Sequence, residues 1–382
     1  MSGLLISSTA YNKKGGRYMS EPVMRRTQSG LAPILARKSA LRVHSPLAKA
    51  LSLCSVLSIL AFAAAPLQAE TSAAADAGYA IESPKAVESL LLDVVNTGER
   101  LIAVGDRGHV LYSNDQGQSW QQAKVPTRQM LTSLFFVDAQ HGWVVGHDAQ
   151  ILATTDGGLT WTKQFEDLER EAPLLDVWFK DLQTGYAVGA YGALLETTDG
   201  GQNWEDVSDR LDNEDAYHLN AITAVKDSGL FIVGELGQMF RSADWGETWE
   251  RIEDLPYEGS LFGVIGTDQP ATLLAYGLRG HLFRSTDFGD SWQQITLNTP
   301  NNGPLEFGLA DGALLDDGSV AVVGHGGTVL RSKDHGQTFS LINRPDRLSL
   351  AGVAALDNGN LILVGQGGVH LAASTGADLG QQ

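Results

Sequence analysis

A single cysteine, Cys54, occurs in 382 residues, so no disulfide can form within the chain and its stability has to come from packing. Positive charge is also scarce: 27 Lys and Arg stand against 45 Asp and Glu, a formal net charge of −18. Such a surface repels a phosphate backbone, so no nucleic-acid partner is expected, and it disfavours broad adhesion to anionic lipid. A nucleophile elbow, a phosphate-binding glycine loop, a zinc-ligand spacing and a paired-acid motif are all missing. The sequence therefore supports neither catalysis nor a cofactor. The one extended apolar run, Leu51–Ala65, is shorter than the roughly 20 residues a spanning helix needs.

That run belongs to an amino-terminal segment unlike the rest. Residues 1–69 carry nine basic residues and one acidic residue, Glu21, then the apolar run, then Pro66-Leu67-Gln68-Ala69. Basic, apolar, small-residue site is the order of a secretory signal, with the cut expected after Ala69 and a start at Met19 or Met24 open. An uncleaved anchor is the alternative. The residues around Arg25-Arg26 do not support a twin-arginine signal, and Cys54 lacks the preceding small residue of a lipoprotein. The expected location is the periplasm of a Gram-negative bacterium. Without residues 1–69, 18 basic residues oppose 44 acidic ones. The chain divides into this segment, one domain over 70–371 and a frayed tail over 372–382.

What the chain has is repetition. The pattern Ser/Thr-x-Asp-x-Gly-x-Ser/Thr-Trp/Phe recurs around Asp115, Asp156, Asp199, Asp244, Asp287 and Asp334, with Asn203 as a variant, at steps of 41, 43, 45, 43 and 47 residues. A near-constant period of this size marks a repeat architecture. Before each Asp lies a short β-branched run ending in glycine, at Gly105, Gly146, Gly189, Gly234, Gly277 and Gly324, and a seventh at Gly365. A second glycine follows three residues later, with Ala149 the exception. These runs read as buried strands joined by turns in which glycine tolerates positive φ. Each repeat holds strands A to D of a meander, in the third repeat Leu174–Phe179, Tyr186–Val188, Ala193–Thr197 and Asn203–Val207. Such sheets repeated radially make a seven-bladed, all-β propeller of four-stranded antiparallel blades. The last unit, 350–371, lacks a fourth strand, and Tyr79–Glu82 is expected to close the ring by supplying it.

Six equivalent Asp turns point to a structural carboxylate that accepts backbone N–H bonds within its own loop. The turns between strands B and C carry variable pairs: Asp106-Arg107, His147-Asp148, Ala190-Tyr191, Glu235-Leu236, Leu278-Arg279, His325-Gly326 and Gln366-Gly367. Solvated turn tips are the plain interpretation, and a partner-binding ring at the funnel mouth is the functional one. His147, His325, Asp106, Asp148 and Glu235 come from separate repeats without local ligand spacing, so no metal is expected. Arg241, Arg284 and Arg331, each just before the Ser of an Asp turn, form a second candidate set. They either dock an acidic or phosphate-bearing partner or pair with carboxylates of the next blade.

The Asp turns resemble bacterial neuraminidase repeats, or Asp boxes. The whole unit at Gly185 to Trp204, repeated at Gly142 to Trp161, resembles the photosystem II stability and assembly factor family of cyanobacteria and plastids, and the likeness covers 86–371. The resemblance implies a seven-bladed propeller on the far side of a membrane, a non-catalytic platform for assembling an integral-membrane complex. Members also occur in bacteria without photosynthesis. A sialidase-like glycoside hydrolase shares the Asp boxes, but Tyr79-Ala80-Ile81-Glu82-Ser83-Pro84 lacks the expected arginine, leaving Tyr191 beside Glu235 as its nucleophile pair. A soluble carbohydrate or peptide receptor is the third possibility.

Overall fold

The computed structural model describes residues 78–253, 257–299 and 303–379. The basic region and the expected signal lie outside them. The seven glycine-bounded repeats form seven antiparallel sheets, six of four strands and a last one of three. The innermost strands are Leu91–Asn96, Leu131–Phe136, Leu174–Phe179, Leu219–Val225, Leu261–Gly266, Leu309–Leu314 and Leu350–Ala355. Each begins with a leucine no more than 1% exposed. Immediately after it the pairing with the second strand slips by one residue, for example between Leu91 and Asp93 and between Leu309 and Asp311. This bulge re-aims the third residue of the strand, which then lines the central channel.

The apolar interior is not one core but seven clusters, one in each seam between neighbouring blades. The aromatic residue that ends each Asp turn packs into the seam with the preceding blade: Trp161 against Ile102 and Val104 of blade one, Trp120 against Ile362 and Val364 of blade seven. The second strands are buried along their whole length because both faces meet a neighbouring sheet. Trp143 and Phe179 stack at 3.5 Å between ring centres across one seam. Ring closure is itself such a seam, reinforced where Asn96 donates to the Ala355 carbonyl at 2.9 Å and Gln116 donates to Asp357 at 3.0 Å.

Two expectations about the ends are corrected. Tyr79–Glu82 does not extend the last blade; it lies along blade one. Ala80 N–H donates to the Val125 carbonyl at 2.9 Å, and the Gln122 side chain bonds Ile81 and Ser83. The flank of the last strand, Gly368–Ala372, is occupied instead by the returning carboxyl-terminal segment, where Ala372 pairs with Asp378 and Ala373 N–H donates to the Ala377 carbonyl. Arg344, 2% exposed and braced by Asp346, holds that segment through Asp378 and the Gly376 carbonyl. Residues 373–379 are thus anchored rather than frayed.

Candidate functional site

All seven turns between second and third strands lie on one face. The residue after the first glycine donates its N–H to the carbonyl that precedes the innermost strand of the same blade: Asp106 to Leu90, His147 to Met130, Ala190 to Pro173, Glu235 to His218, Leu278 to Ser260, His325 to Gly308 and Gln366 to Ser349. This contact explains the first glycine differently from the expected positive φ. Gly277 has an extended backbone, φ −174, but a Cβ there would meet the Ser260 carbonyl oxygen at 2.2 Å. The expected positive φ is found at the second glycine, φ 72 at Gly108 and 71 at Gly280, and also at the second variable residue, with φ 58 at Arg107, 59 at Asp148, 56 at Tyr191, 50 at Leu236 and 54 at Arg279. A side chain at such a position is strained, and it is held out from the sheet.

The structure spreads the polar candidates around the ring. Asp106 pairs with its neighbour Arg107 at 3.3 Å, Asp148 accepts from Gln129, and His147, Arg279 and His325 are exposed. Tyr191 and Glu235 both flank His218: the Tyr191 ring lies 5.1 Å from its imidazole, and the Glu235 carboxylate accepts from its N–H at 3.4 Å. Among the described residues no group of three His, Cys, Asp or Glu side chains could hold a metal ion. Sequence reasoning missed the apolar part of this face. Leu236, Leu278 and Phe307 are 51%, 39% and 43% exposed, and Tyr191 is 65% exposed. The signal was present in the variable pairs for the two leucines; Phe307 comes from the preceding loop and carries no repeat signature.

The Asp turns lie at the opposite end of the third strands. In each, one carboxylate oxygen accepts from the Ser or Thr hydroxyl two residues earlier and from a backbone N–H four residues later, and the other accepts the hydroxyl or amide side chain of that later residue. The Ser119 hydroxyl and N–H hold Asp115 down at about 2, and Thr248 does the same for Asp244. Every oxygen of these carboxylates is already engaged within the loop.

The three arginines do not form an open patch. Arg241 pairs with Glu250 of its own blade at 2.8 Å and with Asp290 of the next at 2.6 Å. Arg284 donates to the His335 carbonyl at 3.0 Å, and burial lowers its pKa. Arg331 is 8% exposed, with one bond to Ser319 and two buried guanidinium nitrogens without a partner.

The third residues of the innermost strands converge on a channel of about 650 Å³. In blades one to six they are Asp93, Ser133, Asp176, Ala221, Gly263 and Asp311, so three acids share this channel. Each acid reaches the next blade: Asp93 accepts from Leu134 N–H at 2.9 Å, Asp176 from Ile222 N–H at 2.8 Å and Asp311 from Val353 N–H at 3.0 Å. The Ser133 hydroxyl lies 3.1 Å from Asp93 and 2.7 Å from Asp176. Burial raises Asp93 to about 6 and Asp176 to about 7 despite these bonds, and burial and then the Asp93 charge raise Asp311. No arginine lines the channel among the described residues.

A family model described as photosynthesis system II assembly factor YCF48 matches residues 113–172 and 163–303, together half of the chain. The chloroplastic photosystem II stability/assembly factor HCF136 of Cyanidioschyzon merolae is 44% identical over 62 residues, 15% of this chain and 14% of that protein. The match therefore spans a small fraction of the relative's length. Among solved structures, YCF48 bound to D1 peptide has a TM-score of 0.58 at 21% identity, covering 78% of this chain and 96% of that one. A streptogramin B lyase structure has a TM-score of 0.62 at 12% identity, covering 74% and 93%. At these identities the two likenesses speak to the fold alone. With half its length matched by the family model, the chain belongs to the photosynthesis system II assembly factor YCF48 family.

Proposed function

We propose that this protein is exported to the periplasm and acts without catalysis as a docking platform in the assembly of an integral-membrane protein complex, binding protein through the face of the B to C turns. The observation that carries the reading is the set of exposed bulky apolar side chains on this face: Tyr191 and Leu236 at strained turn tips, where glycine satisfies the fold at Gly326 and Gly367, with Leu278 and Phe307 beside them. Relatives are named for photosystem II assembly, and one structural neighbour is bound to a D1 peptide. Lyases share the fold, so the fold alone does not decide against chemistry. The engaged carboxylates of the Asp turns and an arginine-free channel argue against a sialidase-type site, which needs an arginine trio near its nucleophile.

The test is deletion of the gene followed by native-gel resolution of membrane complexes. Loss of one complex, with a smaller subassembly accumulating and wild-type protein restoring it, is expected. An unchanged set of complexes contradicts the role. Alkaline phosphatase fused after Ala69 should be active; an inactive fusion contradicts export.

A further inference from the structure

The apolar tips are not scattered. They follow one another over four consecutive blades, linked by the loops between them. The Tyr191 ring rests on His218, whose carbonyl accepts the Glu235 N–H beside Leu236. Leu236 and Leu278 flank one residue, Ser260: Leu236 N–H donates to its hydroxyl at 3.4 Å and Leu278 N–H to its carbonyl at 3.1 Å. Tyr257, stacked on His281 at 4.2 Å, donates its hydroxyl to the Leu278 carbonyl and fills the floor between them. Phe307 closes the line beside the blade-six turn, its ring 3.0 Å from where a Gly326 Cβ would stand. The result is a crescent of exposed apolar groups on blades three to six, with Leu168, in the loop that meets the blade-two turn at Asp148, exposed at its start and Leu90 exposed beside the blade-one turn.

Acids edge this crescent. Glu214, Asp215, Glu253, Glu258 and Glu306 are exposed in the loops that enter blades four, five and six. Against them stand Arg251, 3.9 Å from Asp212, and the exposed tip Arg279. The field over the crescent is therefore negative, which selects the charge of whatever covers the apolar groups.

We infer that the crescent binds a protein segment in which apolar side chains alternate with Lys or Arg. Four exposed apolar anchors on consecutive blades suit one extended segment that crosses them in turn, while the acidic edge takes the cationic residues between them. The backbone strain at Tyr191 and Leu236 pre-organises the anchors, so little ordering is lost on binding. This inference rests on the B to C face being the binding face; the assay below uses purified components, so its outcome is independent of whether a membrane complex is assembled in cells.

The probe is a fluorescein-labelled synthetic peptide of alternating Leu and Lys, compared with the same peptide carrying Glu for Lys, both read by fluorescence polarisation against the secreted propeller. The quadruple variant Tyr191→Asn, Leu236→Asn, Leu278→Ser, Phe307→Ser keeps the charge, and Asn tolerates the left-handed positions. The single Leu236→Asn variant serves as the check should the quadruple one melt early. We expect the Leu-Lys peptide to bind, to weaken with salt, and to lose about tenfold or more in affinity to the quadruple variant, as loss of central apolar anchors does at interfaces. Equal affinity for the variants, equal binding of the Leu-Glu peptide, or no binding at all overturns the proposal. So does a dimer of the wild-type chain that the variant abolishes, which would assign the crescent to a second copy.

Discussion

Arg284 of blade five donates through Nε to the carbonyl of His335, the residue that follows the Asp of the blade-six turn. The same relation recurs around the ring. Arg100 reaches the Asp156 and Gly157 carbonyls, Gln164 that of Gly200, Arg210 that of Gly246 and Arg241 that of Phe288. Each of the five Asp turns of blades two to six therefore presents a carbonyl that the preceding blade grips. Arg331 holds the corresponding place in blade six, but blade seven has no Asp turn, and two of its nitrogens are left without acceptors.

The contrast between these arginines is measurable. Arg284→Met removes an inter-blade bond and leaves a carbonyl unmet, and should destabilise by roughly 1–3 kcal/mol in chemical denaturation. Arg331→Met replaces a buried, under-bonded cation with an apolar chain of similar length and should be neutral or stabilising. Equal losses in both would refute the missing acceptor.

The channel acids set a pH dependence whose sign follows from their raised pKa values. A carboxyl that titrates at about 6 or 7 in the fold but near 3.9 unfolded binds its proton more tightly when folded, so its stabilisation is full below about 4 and is lost as pH rises through 6 to 7. The melting temperature should therefore fall between pH 5 and pH 8. In Asp176→Asn that slope should be shallower, whatever the offset between the two proteins. An equal slope would deny the buried charge.

The Asp turns respond in the opposite direction. Asp115 and Asp244, held at about 2, contribute stability that is present above the unfolded value near 3.9 and disappears as pH falls toward 2. Acid should thus loosen the outer turns while the channel acids favour the fold, and hydrogen exchange below pH 4 should open the amides of Ser119 and Thr248 first. Uniform exchange across the blade would count against this division.

At the turn tips, Gly277→Ala drives a Cβ to 2.2 Å from the Ser260 carbonyl and should destabilise by more than about 3 kcal/mol, if it folds at all. Two residues on, Arg279→Gly relieves a left-handed backbone at φ 54 and should change stability by less than about 1 kcal/mol. The reverse ranking would mean that the turn geometry is different.

Much of this was legible in the sequence, because a repeat states its own period. The blade count, strand order and Asp turns follow from glycine and Asp spacing. The ends were not legible: Tyr79–Glu82 and residues 373–379 break the repeat, and which flank each occupies is decided by Gln122 and Arg344, contacts remote in sequence. The channel acids were written in the Leu-x-Asp openings at 91–93, 174–176 and 309–311, but only the bulge reveals that they meet. Arg331 shares its register position with Arg241 and Arg284, so the sequence did not show that it alone would be buried.

Docking through the face of the B to C turns, and not the face of the Asp turns, is the proposal on which the functional reading stands. A photo-crosslinking amino acid placed at Leu236 on one face and at Gln337 on the other, in intact cells, tests it most directly. An adduct with an integral-membrane protein from Leu236 and none from Gln337 is predicted; adducts from Gln337 alone, or from neither position, would contradict it.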